Sequence, residues 1–244
     1  HAGIYYRPQR VKDAKIILEE VDEVIYKGGQ REISLSSLSS GDYTEIDKLL
    51  DILSKKYQDA RVSFQLPSLK VNSFTLPLLE KLSEVRKSGL TFAVETPSDA
   101  WQLSLNKEVF KEKLIEIIKE AKKRGWNKAK FYFMIGLPPA NDATHLAKNK
   151  ENQKTEEQEI VDFLIDIQEA TKINCSVNVG TFIPKAHTPY ERVRQLTIEE
   201  ATEKMLYIRK NLPRGKFKVS THLEFVSFIE GMISRGDERI GNLL

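Results

Sequence analysis

Glu95 closes an apolar run, LTFAVE, one of four strand-end strings that could converge on a site. If the run is a buried strand, its last residue sits at the mouth of the fold. A carboxylate there is costly unless it meets a hydroxyl, a cation or a neighbouring Arg. A ligand contact and a purely structural salt bridge both satisfy that requirement. Three other apolar runs end in similar strings: Ser39-Ser40-Gly41-Asp42, Ile135-Gly136-Leu137-Pro138 and Phe182-Ile183-Pro184. Asp42 suits either a ligand contact or the N-cap of the next helix, and Gly41 and Gly136 suit turns.

Other reactive side chains are less well placed. His187 lies in PKAHTPY, where two prolines stiffen the backbone, and a surface histidine is the simpler reading. Lys185 is the nearest strand-end amine for an aldolase-type Schiff base. Arg7, Arg10, Lys27 and Arg31 could meet a phosphate or carboxylate, or simply be solvated. The 4 histidines show no HExxH or other metal spacing, and the 1 cysteine, Cys175, supplies a single thiolate. No metal site is therefore expected within the chain. Gly28-Gly29 precedes a strand rather than opening a helix, and no GxGxxG or P-loop pattern is present.

Alternating elements would position these residues. The spacing predicts a helix over Val11 to Tyr26, a strand from Glu32 to Leu38, a helix from about Thr44 to Tyr57 and a strand from Arg61 to Leu66. A helix around Leu76 to Lys87 leads to the strand ending at Glu95. Lys107 to Arg124 carries Phe110, Leu114, Ile117, Ile118 and Ala121 on one helical face. The strand KAKFYFMIGL, a helix from Glu156 to Thr171 and the strand NCSVNVGTFI follow. Thr197 and Glu200 form a capping-box signature opening a helix to Lys210, then KFKVS is a last strand and His222 to Ser234 a closing helix. Pro138 to Thr155, polar and rich in Asn and Lys, reads as a surface loop. Strict alternation with short connections predicts βαβ units and a parallel sheet, open or curled into a barrel, and both place function at the strands' C-terminal ends.

Composition bounds the class. The 244 residues, 40% hydrophobic and 30% charged, fit one globular domain spanning 1–244, with no internal repeat. A net charge of +3 with both signs interspersed does not by itself argue for nucleic acid. Mean hydropathy is −0.41 and no apolar run approaches a spanning helix, so a cytoplasmic protein without membrane contact is expected.

Particular strings carry a resemblance. HAGIYYRPQR, EISLSSLSSGDY, LTFAVE, KFYFMIGLP, FIPKAHTPY and EGMISRGDERIG follow one another along the whole chain. Together they resemble a radical S-adenosylmethionine (radical SAM) family, an uncharacterised branch often fused to a cobalamin-binding-like region. The resemblance implies a partial (β/α) barrel lacking its first strand and beginning just after the CxxxCxxC loop that binds a four-iron four-sulfur cluster. Such a core would be inactive without those cysteines. In relatives the cluster and a reductant such as flavodoxin or ferredoxin cleave SAM to a 5′-deoxyadenosyl radical that modifies a substrate. Here the substrate is unknown: a small molecule, tRNA or protein.

The resemblance also assigns roles. Ser39, Ser40, Gly41 and Asp42 would meet the methionine end, whose ammonium suits an acid and hydroxyls. Glu95 would accept hydrogen bonds from the ribose hydroxyls, while the backbones of Gly136, Leu137, Phe182, Ile183 and Pro184 would border the adenine. Two departures stand out: Thr96-Pro97 replaces a small-residue turn after the glutamate, and PANDA, with Asp142, replaces an acidic pair. The rival reading is a catalytically inactive SAM- or RNA-binding module related to radical methylthiotransferases.

Overall fold

The structure is a computed structural model that describes residues 2–37, 40–60, 62–65, 90–138 and 154–242. Two compact units result: one joins His1–Pro8, Val94–Val109 and Phe131–Leu244, and the other joins Gln9–Ala93 and Phe110–Lys130.

In the second of these, Asp13 accepts a hydrogen bond from the Lys15 amide at 2.8 Å and opens α1 (Ala14–Asp22). The helix runs on as a π-helical turn, Glu23–Lys27. Its inner residues Val21 and Ile25 pack with Leu49, Leu53 and Tyr57 of α2 (Ile46–Tyr57) and with Val62 and Phe64. β1 (Glu32–Ser34) pairs in parallel with β2 (Ser63–Gln65), Ile33 opposite Phe64. β1 is shorter than the predicted strand, and just past it the Leu35 carbonyl accepts from Ser40 Oγ at 3.3 Å rather than joining the ladder. α2 starts at Ile46 with Glu45 at its cap, so the Asp42 N-cap is not formed. Tyr57 is fully buried and donates to Asp22 Oδ1 at 2.6 Å.

β3 (Leu90–Glu95), β4 (Lys128–Ile135), β5 (Asn174–Thr181) and β6 (Phe217–Thr221) form a four-stranded sheet in that order. β5 and β6 are parallel, with Cys175 opposite Phe217 and Val177 opposite Val219. Between β3 and β4 come a short helix, α3 (Asp99–Ser104), and α4 (Lys111–Lys123). α3 is absent from the order the sequence predicts, and α4 starts four residues later than predicted. Phe110 consequently becomes the exposed cap residue of α4, while Leu114, Ile117, Ile118 and Ala121 are buried as expected.

α5 (Glu156–Thr171) and α6 (Ile198–Asn211) connect the later strands. Alternate residues of β4 and β5 are buried, the pattern of strands with one face packed more tightly than the other, and Phe133 meets Phe163 of α5 edge-on at 5.9 Å. The Thr197–Glu200 capping box is present, Glu200 N reaching Thr197 Oγ1 at 3.2 Å. α7 (Glu224–Arg235) closes the chain. It turns its small residues Ser227 and Gly231 inward and leaves Phe225, Val226 and Ile233 exposed. The predicted helix at Leu76 to Lys87 and most of the loop after Pro138 lie outside the described residues.

Candidate functional site

At the end of β3 the backbone leaves ordinary strand geometry. Glu95 has φ +66°, and the Thr96 amide donates to Val94 O at 2.8 Å across it. A hydrogen bond spanning one residue at positive φ is a γ-turn of the strained kind, unusual for a residue with a Cβ. The Pro97 departure is compatible with this turn. Proline lacks an N–H, and the hydrogen bonds here come from Thr96 and from Ser98, whose amide reaches Thr96 Oγ1 at 3.3 Å.

The segment that follows folds back to the same carboxylate. Buried Gln102 donates to Thr96 O at 2.8 Å and accepts from the Val109 amide at 2.9 Å. Lys107 N reaches Gln102 O at 2.9 Å, and Lys107 Nζ donates to Glu95 Oε1 at 2.7 Å. A side chain expected to begin a helix is thus the cation the strand-end carboxylate requires.

The ends of β4 and β5 meet next to each other. Phe182 N donates to Ile135 O at 2.7 Å. Gly136 has φ +79°, and a Cβ there would lie 2.6 Å from Leu196 Cγ, so glycine is required by both backbone and space. Its amide donates to both carboxylate oxygens of Glu156, at 2.9 and 3.0 Å. Glu156 is buried, and burial pushes its carboxyl pKa up against the opposing pull of Gly136 N–H and Lys204. Lys204 sits 3.2 Å from Glu156 and 2.6 Å from Glu157. Burial opposes its charge, yet these two carboxylates hold its pKa above the usual lysine range.

Leu137 and Pro184 are buried, whereas Phe182 and Ile183 are half-buried. Tyr190 stands perpendicular to Phe182 at 5.9 Å, and its hydroxyl meets Ser104 Oγ at 2.9 Å, joining the two loops. Thr181 Oγ1, at the end of β5, is buried without a hydrogen-bond partner among the described residues. The structure therefore brings together Glu95, Gly136, Leu137, Phe182, Ile183 and Pro184 within one unit. Lys107, Glu156 and Lys204 are the charged residues that sequence reading missed.

The serine turn belongs to the other unit. Ser40 is buried, donates to Leu35 O at 3.3 Å and meets Ser37 Oγ at 3.1 Å, so its hydroxyl is used inside the turn. Asp42 is exposed at the end of the 3-10 turn Ser40–Asp42. Ser39 lies outside the described residues.

Several candidates have other duties. Lys185 Nζ is held by Glu230 at 2.6 Å and Ser234 at 2.9 Å, a paired ammonium rather than a poised nucleophile. His187 is exposed at φ +61°, its amide donating to Glu191. Lys27 pairs with Glu23, and Arg31 donates to Ala60 O. Among the described residues no three His, Cys, Asp or Glu side chains could share a metal ion, and no helix is long and apolar enough to cross a membrane.

Comparison with known proteins adds to this geometry. The sequence model of the radical SAM superfamily matches residues 2–147. An uncharacterized protein of Methanocaldococcus jannaschii, MJ0966, is 28% identical over 248 residues, covering 99% of this chain and 49% of that protein. The chain thus spans about half the length of the curated relative it matches. The crystal structure of Streptococcus suis SuiB bound to S-adenosylmethionine is similar with a TM-score of 0.56 at 16% identity, over 92% of this chain and 47% of SuiB. SuiB bound to its precursor peptide SuiA gives a TM-score of 0.52 at 16% identity, over 91% and 45%. The common fold is α/β with parallel sheets, the partial-barrel type that the resemblance implied.

Proposed function

Because this chain belongs to the radical SAM superfamily, we propose that it is the SAM-binding core of an enzyme that modifies a substrate through a 5′-deoxyadenosyl radical. The observation that carries this reading is Glu95: a carboxylate held by a strained turn at the mouth end of an apolar strand. Strain of this kind persists where the surrounding structure over-determines it, and such positions cluster at ligand sites. In this reading Glu95 accepts hydrogen bonds from the ribose hydroxyls. The backbones of Gly136, Leu137, Phe182, Ile183 and Pro184 border the adenine. Buried Glu156 fixes the Gly136 amide so that this edge keeps its shape.

The four-iron four-sulfur cluster used by the family finds no ligand set among the described residues. Cys175 is buried, and burial pushes its thiol up to about 12. What these residues do is therefore bind SAM, orient it and exclude water. The cluster's ligands and the reductant come from outside them. A polypeptide belongs among the candidate substrates, in keeping with the precursor peptide bound by SuiB.

Calorimetric titration with SAM tests the reading. Wild-type chain is expected to bind, and Glu95→Gln to weaken binding by about 1 to 3 kcal/mol, the cost of leaving a buried polar group without its partner. Equal affinity of the two proteins overturns the role of Glu95, and no binding by wild type overturns the SAM site.

A further inference from the structure

Resting on that reading, we propose that Lys107 is a positioning residue that makes the site selective for a ribose carrying both hydroxyls. Lys107 Nζ binds Glu95 Oε1 at 2.7 Å, and no hydrogen bond reaches Oε2 among the described residues. One oxygen is thereby anchored while the other stays available as an acceptor. Neither partner drifts easily. Glu95 is fixed from below by its turn, at φ +66°. Lys107 is fixed by the loop that Gln102 ties at both ends, to Thr96 O and to Val109 N, with Lys107 N itself bound to Gln102 O.

The pair is mostly shielded, with side-chain exposures of 33% and 23%. It therefore differs from the exposed ion pairs of the surface, which hold little geometry. A salt bridge needed only for stability would not require a strained backbone under the carboxylate. A carboxylate aimed at a vicinal diol would, because two hydroxyl donors need an acceptor of fixed orientation.

Lys107→Met, Lys107→Arg and Glu95→Gln are compared with wild type, using S-adenosylhomocysteine and its 2′-deoxyribose counterpart as probes. Circular dichroism melts confirm that each variant is folded. Wild type is expected to prefer the ribose ligand by roughly tenfold or more. Lys107→Met should lose about five- to tenfold on the ribose ligand and little on the deoxy ligand, so the preference collapses, while Lys107→Arg, which keeps the cation, should retain most of it. An unchanged preference in Lys107→Met, alongside its loss in Glu95→Gln, overturns the role of Lys107 and leaves the SAM site standing. Failure of wild type to bind either probe removes the site and the proposal together.

Discussion

The turns that follow β3 and β1 both fix polar groups at a strand end, by opposite means. After β3 the groups are charged: Glu95 on Lys107, with Glu156 and Lys204 supporting the neighbouring Gly136, and the backbone takes positive φ at Glu95 and Gly136. After β1, ahead of the exposed Asp42, they are neutral hydroxyls that satisfy one another and Leu35 O. A neutral, self-satisfied turn is stable without a ligand. Shielded carboxylates and left-handed backbone are not what stability alone would select, and the ligand site proposed at the first region would account for them.

If that contrast is right, the β3–β5 region should tolerate change far less. Gly136→Val adds a clash with Leu196 to an unfavourable φ and is expected to cost about 3 kcal/mol in urea unfolding. Combining it with Leu196→Ala should recover the steric part only. Glu156→Ala comes next, at about 2 kcal/mol, since it leaves the Gly136 amide without its acceptor. Tyr57→Phe, in the other unit, removes one hydrogen bond to Asp22 and is expected to cost about 1 kcal/mol. A larger loss from Tyr57→Phe than from Glu156→Ala would reverse the contrast.

Acid titration separates the same regions by sign. The Glu156 carboxyl lies above its ordinary 4.5, so its contribution is full below that value and lost as pH rises through the raised one. Hydrogen bonds from Lys56 and Tyr57 hold Asp22 below its ordinary 3.8, so its contribution is present above that value and lost as pH falls through the lowered one. Urea midpoints from about pH 3 to about pH 7 should therefore show Glu156→Gln removing a decline with rising pH and Asp22→Asn removing a rise.

Much of this was legible in the chain. β3, β4 and β5 announce themselves by alternation and apolar runs, and the Thr197–Glu200 box is a local pattern read directly. Glu95 was legible because a carboxylate closing an apolar strand is conspicuous. Its partner was not: Lys107 falls where a helical pattern starts, and only the folded loop pulls it 12 positions back. Glu156 reads as an ordinary acidic first-turn residue of α5, and nothing in its spacing shows that it reaches the Gly136 amide 20 positions away. Contacts set by tertiary closure leave no period in the sequence. The Ser40 hydroxyl shows the converse, since a local turn uses a group that composition alone makes look available.

Cys175 gives the molecule a built-in clock. It is the chain's 1 thiol, 3% exposed, opposite Phe217 across the β5–β6 pair, with its amide bound to Lys216 O. A buried thiol whose proton leaves only near 12 reacts with an alkylating reagent when those strands part and hardly otherwise. The rate at which a maleimide label enters the native protein therefore times the opening of that edge of the sheet, with no engineered probe.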